Sequence, residues 1–164
     1  MFPNGIIEVA EELMKEWEGR IAVEVKLQDI ENKSLEDQVF YVLKKRLMYE
    51  SEYMPKWKEA MMLGVQPHNI GSVYDKLYFT MSTVCEILGD KSAGIDWFIK
   101  RAVIGKIFVC TEANMTQDTS ENFEKTWEFL SKQVKGLKNE TFTSCSEFSF
   151  WTLNYTLRNL NIKP

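Results

Sequence analysis

The residues that could do chemistry in this chain are few, and histidine is the scarcest of them. The sequence has one histidine, His68, which follows Pro67 in the run Pro-His-Asn-Ile. A serine hydrolase would need it as a base, yet the motif Gly-x-Ser-x-Gly does not occur. We interpret His68 as a residue that packs against or caps the start of the next helix, with a role as a catalytic base left as the alternative.

Carboxylates are plentiful, but their positions favour structural roles. Asp90, Asp96 and Asp118 lie at or near predicted helix ends, where capping and the helix dipole account for them. Glu112 differs because it lies inside a nearly all-apolar helix and must face a partner, a cavity or water. Di-iron helical proteins need Glu-x-x-His pairs, and none occurs. We predict no catalytic residue, metal site or cofactor, although a helical enzyme using Glu112 or His68 stays open as a last alternative.

Composition limits the class of protein and its partners. The chain has 164 residues, 45% apolar and 27% charged, which is enough for one globular domain with a substantial core. The net charge of -4 gives no broad basic field, so nucleic acid is not expected as a partner. Cys85, Cys110 and Cys145 lack the spacing of a metal site or disulfide framework, which favours free thiols in a reducing compartment. No apolar run reaches the ~18 residues of a membrane span, and no targeting leader precedes Phe2.

Hydrophobic periodicity indicates an all-α protein. Apolar residues recur at helical spacing throughout, and Ser34 with Asp37 three residues later is close to a capping box. The alternating stretch 23–28 could be a strand, but no partner strand is evident, so we interpret it as the tail of the first helix. The predicted helices span about residues 5–28, 35–50, 55–64, 71–89, 95–116, 120–137 and 147–162.

The stretch 86–130 organises the chain. Gly89 is suited to the left-handed conformation that closes a helix. The helix that follows is apolar on nearly every side between Ala102 and Cys110, as expected for a helix in the middle of a bundle. The next helix has an apolar stripe and a charged face, so the two helices are predicted to form an antiparallel hairpin.

Motifs in this stretch also carry a family resemblance. The chain reads Gly-Asp-Lys-Ser at 89–92, Asp-Trp-Phe-Ile-Lys-Arg-Ala at 96–102, Thr-Glu at 111–112 and Gln-Asp-Thr-Ser-x-x-Phe-x-x-Thr-Trp-x-Phe-Leu at 117–130. In this order the motifs resemble the ubiquinone (coenzyme Q) biosynthesis accessory family commonly called Coq-nine. Two further signatures, at residues 67–70 and 2–5, extend the resemblance over about residues 1–137.

The resemblance implies a fold and a function. The fold would be a helical bundle similar to the ligand-binding domain of TetR-type regulators, without their N-terminal helix-turn-helix, that forms a homodimer through residues 95–117 and 120–137. The function would be that of a non-catalytic accessory protein on the matrix face of the inner mitochondrial membrane. It would present a polyprenyl quinone intermediate to the di-iron demethoxyubiquinone hydroxylase. The effector-binding core of a TetR-type transcriptional regulator is the alternative.

Two surfaces are candidates for binding. A domain of residues 1–137 is expected to be followed by a linker, 138–147, and an amphipathic helix, 148–164, that contacts a membrane, a quinone intermediate or phospholipid, or its own domain. Its lipid-binding candidates are Phe148, Phe150, Trp151, Leu153 and Leu157.

The second surface is a patch that, in the resembling family, meets the hydroxylase. Its candidate residues are Val84, Trp97, Phe98, Lys100 and Arg101, with residues 82–85 departing from the family pattern. The alternative for Trp97 is a core anchor. Periodicity alone favours a solid core over a lipid cavity, whereas the resemblance favours the cavity.

Overall fold

The computed structural model describes residues 5–135 and 137, and within them the chain forms seven α-helices and no strand. This confirms the predicted all-α bundle. The predicted linker and C-terminal helix lie outside the described residues. The helices are α1 (Ile6–Glu24), α2 (Leu27–Ile30), α3 (Leu35–Met48), α4 (Met54–Gly64), α5 (Ile70–Ile87), α6 (Ile95–Met115) and α7 (Glu124–Lys135), with short 3-10 turns at Ser51–Tyr53 and Glu121–Phe123.

Helix α6 lies at the centre of the bundle, as its apolar composition predicts. It packs against α5 and α7 and also contacts α3, while α1 packs against α5, α4 and α3. Each fully buried aliphatic or aromatic side chain stabilises this core by roughly 1.5–3 kcal/mol relative to an exposed one. The fully buried apolar side chains include Ile21, Leu43, Leu47, Val84, Phe108 and Leu130. In the described part of the chain, no helix is both long and apolar enough to span a bilayer.

The first helix ends earlier than predicted. The stretch 23–28 is not a continuous helix tail, because Val25 and Lys26 have extended backbones and a new short helix begins at Leu27. The Asp29 carboxylate accepts a hydrogen bond from the Lys26 N–H at 3.0 Å, which stabilises the start of α2. The break allows both Val25 and Ile30 to reach the core, where they are buried.

Local signals at the ends of α3 and α5 act as predicted. The Ser34 hydroxyl accepts a hydrogen bond from the Asp37 N–H at 3.2 Å and caps α3. Gly89 follows α5 with a φ of 71°, in the left-handed region, and a Cβ there would lie 3.0 Å from the Leu27 side chain. The left-handed conformation is what favours glycine here, while the approach to the end of the flexible Leu27 side chain is only tight.

Helix α7 begins at Glu124 and not at residue 120. Asn122 and Phe123 have φ values of 51° and 60°, which interrupts the helical conformation before α7. The Asp118 carboxylate instead caps α7 by accepting hydrogen bonds from the Thr126 N–H at 2.8 Å and the Thr126 hydroxyl at 2.6 Å. The short connection places α7 beside α6, as the predicted hairpin requires.

Candidate functional site

Exposed aromatic side chains of α5 and α6 form one continuous surface. The rings of Tyr78 and Trp97 lie 5.7 Å apart between centroids, and those of Trp97 and Phe98 lie 4.8 Å apart. Phe98 is 61% exposed and Ile95 is 72% exposed. Apolar side chains that cluster in this way on a surface indicate a binding site. We call this surface the aromatic patch. It consists of the contacting rings of Tyr78, Phe79, Trp97 and Phe98, together with the exposed side chains of Tyr74 and Ile95 on the same two helices.

Trp97 and Phe98 occupy different depths in the aromatic patch. Trp97 is half-buried, and the Arg101 guanidinium lies over its ring at 3.8 Å from the centroid. Arg101 also donates a hydrogen bond to the Trp97 carbonyl oxygen at 3.1 Å. Trp97 is therefore held from beneath by Arg101, while Phe98 projects into solvent.

Two of the predicted patch residues are not on the surface. Val84 has 0% exposure and belongs to the core, and Arg101 is only 7% exposed. The prediction that Val84 completes an exposed surface is therefore corrected. The reason is helical geometry: Phe79 is exposed, and five residues later the helix has turned by about 140° toward the core. Helix α5 contributes to the surface through Tyr74, Tyr78 and Phe79. Sequence reasoning missed these as surface residues, although Tyr74 and Tyr78 lie one helical turn apart.

The turn between α5 and α6 is held by ion pairs to one carboxylate. Lys100 Nζ lies 2.7 Å from Asp90 Oδ1, and Arg101 Nη1 lies 3.2 Å from Asp90 Oδ2. The Ser92 hydroxyl donates to Asp90 Oδ2 at 2.6 Å. Desolvation alone would raise the pKa of the Asp90 carboxyl, but the hydrogen bonds from Lys100 and Ser92 outweigh it and hold the pKa well below its usual range. Asp90 is thus ionised and fixes the first two turns of α6.

An open pocket lies next to these ion pairs. It has a volume of about 360 Å³, near the lower end of the range for small-molecule sites. Its walls come from α3, the end of α5, α6 and Leu137, and Asp90, Lys91 and Lys100 supply polar groups. We call it the apolar pocket; its apolar side chains include Leu35, Val39, Leu88, Val103 and Ile104. Cys85 also lines it, and burial raises the pKa of this thiol to about 11.

The aromatic patch and the apolar pocket share the first turns of α6. Trp97 and Phe98 belong to the patch, and Lys100, Val103 and Ile104 line the pocket. Lys100 and the buried Arg101 both pair with Asp90 in the turn before α6. The pocket and the patch are therefore connected through the polar residues at the start of α6.

A second polar cluster is buried between α3, α4 and α6. Arg46 Nη1 donates to Glu50 Oε1 at 2.6 Å, and Trp57 Nε1 donates to Glu112 Oε1 at 2.6 Å. Burial raises the pKa of both carboxyls, and the charge of Glu112 raises that of Glu50 further. The sequence predicted that Glu112 needs a partner, and Trp57 is that partner. Sequence reasoning missed Arg46 and Glu50, although Arg46 lies on the apolar stripe of α3, beside Val42 and Leu43 at helical spacing.

The alternative catalytic residues are not brought together. His68 is exposed in the turn between α4 and α5, whereas Glu112 is buried between helices. Among the described residues, no three His, Cys, Asp or Glu side chains are grouped as a metal site. The predicted lipid-binding residues Phe148, Phe150, Trp151, Leu153 and Leu157 lie outside the part of the chain that the structure describes.

Comparison with known proteins adds an independent line of information. Residues 70–140, which include the patch and most of the pocket, match the family model described as COQ9. The "Probable ubiquinone biosynthesis protein coq9, mitochondrial" of Dictyostelium discoideum is 31% identical over 121 residues, covering 69% of this chain and 39% of the relative.

Two mammalian relatives are similarly close. The "Ubiquinone biosynthesis protein COQ9, mitochondrial" of Homo sapiens is 33% identical over 99 residues, which cover 60% of this chain and 31% of the relative. The protein of the same name from Bos taurus is 30% identical over 120 residues, which cover 73% of this chain and 38% of the relative. The chain therefore spans well under half the length of the curated relatives that it matches.

Proposed function

Because the chain belongs to the COQ9 family, we propose that it is a non-catalytic, lipid-binding accessory protein of mitochondrial ubiquinone biosynthesis. In this proposal it takes up a polyprenyl quinone intermediate, or a phospholipid in its place. It then presents the quinone head group to the di-iron demethoxyubiquinone hydroxylase. The names of the relatives support the pathway and the organelle, while the surface of this chain supports the lipid and the protein partner.

The observation that carries the proposal is the adjacency of the apolar pocket and the aromatic patch on α6. Hydrocarbon that leaves water gains about 0.8 kcal/mol per methylene group, without any need for polar partners. Val103 and Ile104 offer such an environment to one end of a polyprenyl chain. An isoprenoid too insoluble to cross water unaided could then be carried with its reactive end outside the protein.

The polar groups at the pocket suit the other end of the ligand. Lys91 and Lys100 supply ammonium donors that can hydrogen-bond to the carbonyl or hydroxyl oxygens of a quinone-type ring. Asp90 keeps Lys100 in place through its 2.7 Å ion pair. These residues would bind and orient the head group; the chemistry itself would occur in the hydroxylase.

The aromatic patch is the proposed contact with the hydroxylase. Tryptophan and tyrosine are enriched among residues that dominate interface energetics, and Trp97 and Tyr78 touch one another at the centre of the patch. A hydroxylase docked there would lie beside the pocket opening. A homodimer through α6 and α7 and a location on the matrix face of the inner membrane belong to the same proposal, and the family resemblance supports both.

Lipid extraction of the purified full chain tests the proposal. Native mass spectrometry of the wild type is expected to detect co-purifying isoprenoid or phospholipid. Val103→Trp should fill the pocket and reduce the bound lipid, whereas Val23→Trp, at an exposed position near the end of α1, should leave it unchanged. A wild-type protein that carries no lipid, and takes up none from polyprenol-containing vesicles, would overturn the proposal.

A further inference from the structure

We propose that the apolar pocket sets a length limit on the hydrocarbon it binds, at about fourteen carbons or three isoprene units. This inference rests on the proposed function, because it specifies which part of a prenylated ligand the chain recognises. The first observation is the pocket volume of about 360 Å³. A cavity of about 150 Å³ with apolar walls binds one benzene molecule, which has six carbons. In the same proportion, this pocket has room for about fourteen carbons.

The base of the pocket belongs to the core, and this fixes the volume. Val39, Cys85 and Ile104 line the pocket and are all buried. Protein interiors are close-packed, so these side chains cannot withdraw to admit a longer chain without losing their own packing. Leu35 also lines the pocket but is exposed, so it lies toward the opening. A hydrocarbon chain can therefore extend from the opening as far as the buried base, and no further.

The charged groups of the pocket determine from which end the carbons are counted. Asp90, Lys91 and Lys100 are close together in the chain, between the end of α5 and the second turn of α6. The remaining lining residues carry no charge. Lys91 and Lys100 are exposed, and the ion pair of 2.7 Å with Asp90 holds the Lys100 ammonium in place. The polar end of an amphiphile therefore lies at these groups, and the limit applies to the carbons next to it.

The limit defines the class of ligand that the chain distinguishes. A prenylated ring with one isoprene unit fills only part of the pocket, and one with about three units fills it. Units beyond the third remain outside the pocket and add no contact with its walls. The chain is therefore selective for the polar end and the first units of the tail, and it binds tails of greater length equally well.

A series of straight-chain primary alcohols from octanol to octadecanol tests the limit in the full chain. Equilibrium dialysis with radiolabelled alcohols, each below its solubility limit, gives the dissociation constants. Affinity should increase about fourfold per methylene up to about tetradecanol and then stay within about twofold. Ile104→Ala removes three carbons from the base and should move the limit by about three carbons. Ile21→Ala makes the same change in the core of α1, away from the pocket, and should leave the limit unchanged.

The outcomes separate this inference from the proposed function. Circular dichroism checks folding, and if Ile104→Ala does not fold, Ile104→Val should move the limit by about one carbon. An affinity that still increases up to octadecanol, a limit that folded Ile104 variants do not move, or no binding of any alcohol overturns the inference. The proposed function stands in each of these cases if the wild type carries isoprenoid or phospholipid. If the limit is found but no such lipid binds, the inference about the pocket stands and the proposed function fails.

Discussion

Arg46, Glu50 and Glu112 place three ionisable groups in the interior of a small domain. If both carboxyls were ionised beside one guanidinium, the cluster would carry a net negative charge where desolvation costs several kcal/mol per ion. Burial and the neighbouring Glu112 raise the pKa of Glu50 well above its usual value. Folding therefore favours the protonated form of Glu50 relative to the unfolded chain.

This proton gives the first prediction, for Glu50→Gln. Because folding raises the pKa of Glu50, its contribution to stability is complete below the unfolded pKa of about 4.3 and is lost as pH rises toward the folded value. Glutamine does not ionise, so the variant does not lose this stability as pH rises. Its free energy of unfolding relative to wild type should increase by up to about 1.4 kcal/mol per pH unit above about pH 5, measured by urea unfolding. Glu52→Gln, at an exposed glutamate nearby, should follow the wild-type curve. Parallel curves for Glu50→Gln and wild type would refute a raised pKa of Glu50.

The second prediction concerns the hydrogen bond from Trp57 to Glu112. Trp57→Phe keeps an aromatic ring but removes the donor, so a buried carboxyl loses its 2.6 Å partner. We expect a destabilisation of about 1.5–3 kcal/mol by urea unfolding. In a double-mutant cycle with Glu112→Ala, the coupling energy should exceed about 1 kcal/mol. Trp127→Phe removes a 2.8 Å hydrogen bond to the Asn122 carbonyl and should be additive with Glu112→Ala. If the effects of Trp57→Phe and Glu112→Ala were also additive, this would argue against the hydrogen bond from Trp57 to Glu112.

At the scale of elements, most helices could be predicted because their signals are local. Ser34 and Asp37 lie three residues apart, and this spacing alone specifies the cap that the structure contains. Gly89 was predicted to be left-handed from its position after an apolar run, and its φ is 71°. Helix existence and capping are properties of neighbouring residues, so a sequence pattern suffices for them.

Other features depend on distant residues, and the sequence pattern did not reveal them. Trp57 and Glu112 are 55 positions apart, so their hydrogen bond depends on how α4 and α6 pack. Val25 interrupts the first helix because its side chain and that of Ile30 are both buried, which is again a tertiary effect. Val84 was assigned to the surface from the family patch, yet the rotation of α5 buries it. The similarity to TetR-type ligand-binding domains stays a prediction.

The third prediction concerns the cap of α7. Desolvation alone would raise the pKa of Asp118, but hydrogen bonds from Ser120 and Thr126 lower it to about 2. A lowered pKa stabilises the fold above the unfolded value of about 3.9, and this stabilisation is lost as pH falls toward 2. Asp118→Ala should lower the free energy of unfolding by about 0.5–2 kcal/mol at neutral pH, and this difference from wild type should become smaller in acid. Asp75→Ala, at an exposed position in α5, is the control for urea unfolding. A cost that does not change with pH would contradict this account.

At the scale of the whole molecule, one helix connects the two proposed binding surfaces. The first turns of α6 carry Trp97 and Phe98 on the aromatic patch and Val103 and Ile104 in the apolar pocket. The ion pairs of Asp90 with Lys100 and Arg101 keep these turns in a fixed orientation. The buried cluster around Glu112 lies further along the same helix and stabilises it within the core. Helix α6 is therefore suited to hold a bound lipid and a docked protein partner at fixed positions relative to each other.

This arrangement predicts that the two surfaces can be disabled separately. Phe98 is 61% exposed, so Phe98→Glu should leave the free energy of unfolding nearly unchanged while placing a charge in the aromatic patch. Binding to the hydroxylase, measured by isothermal titration calorimetry, should weaken by at least about tenfold, since a buried interface aromatic is lost. Tyr41→Glu, at an exposed tyrosine of α3 outside the patch, should bind as the wild type does. The lipid carried by Phe98→Glu should remain at the wild-type level, whereas Val103→Trp should lose lipid and keep its affinity for the hydroxylase. If either variant lost both functions while still folded, the two surfaces would not be the independent sites that their positions on α6 imply.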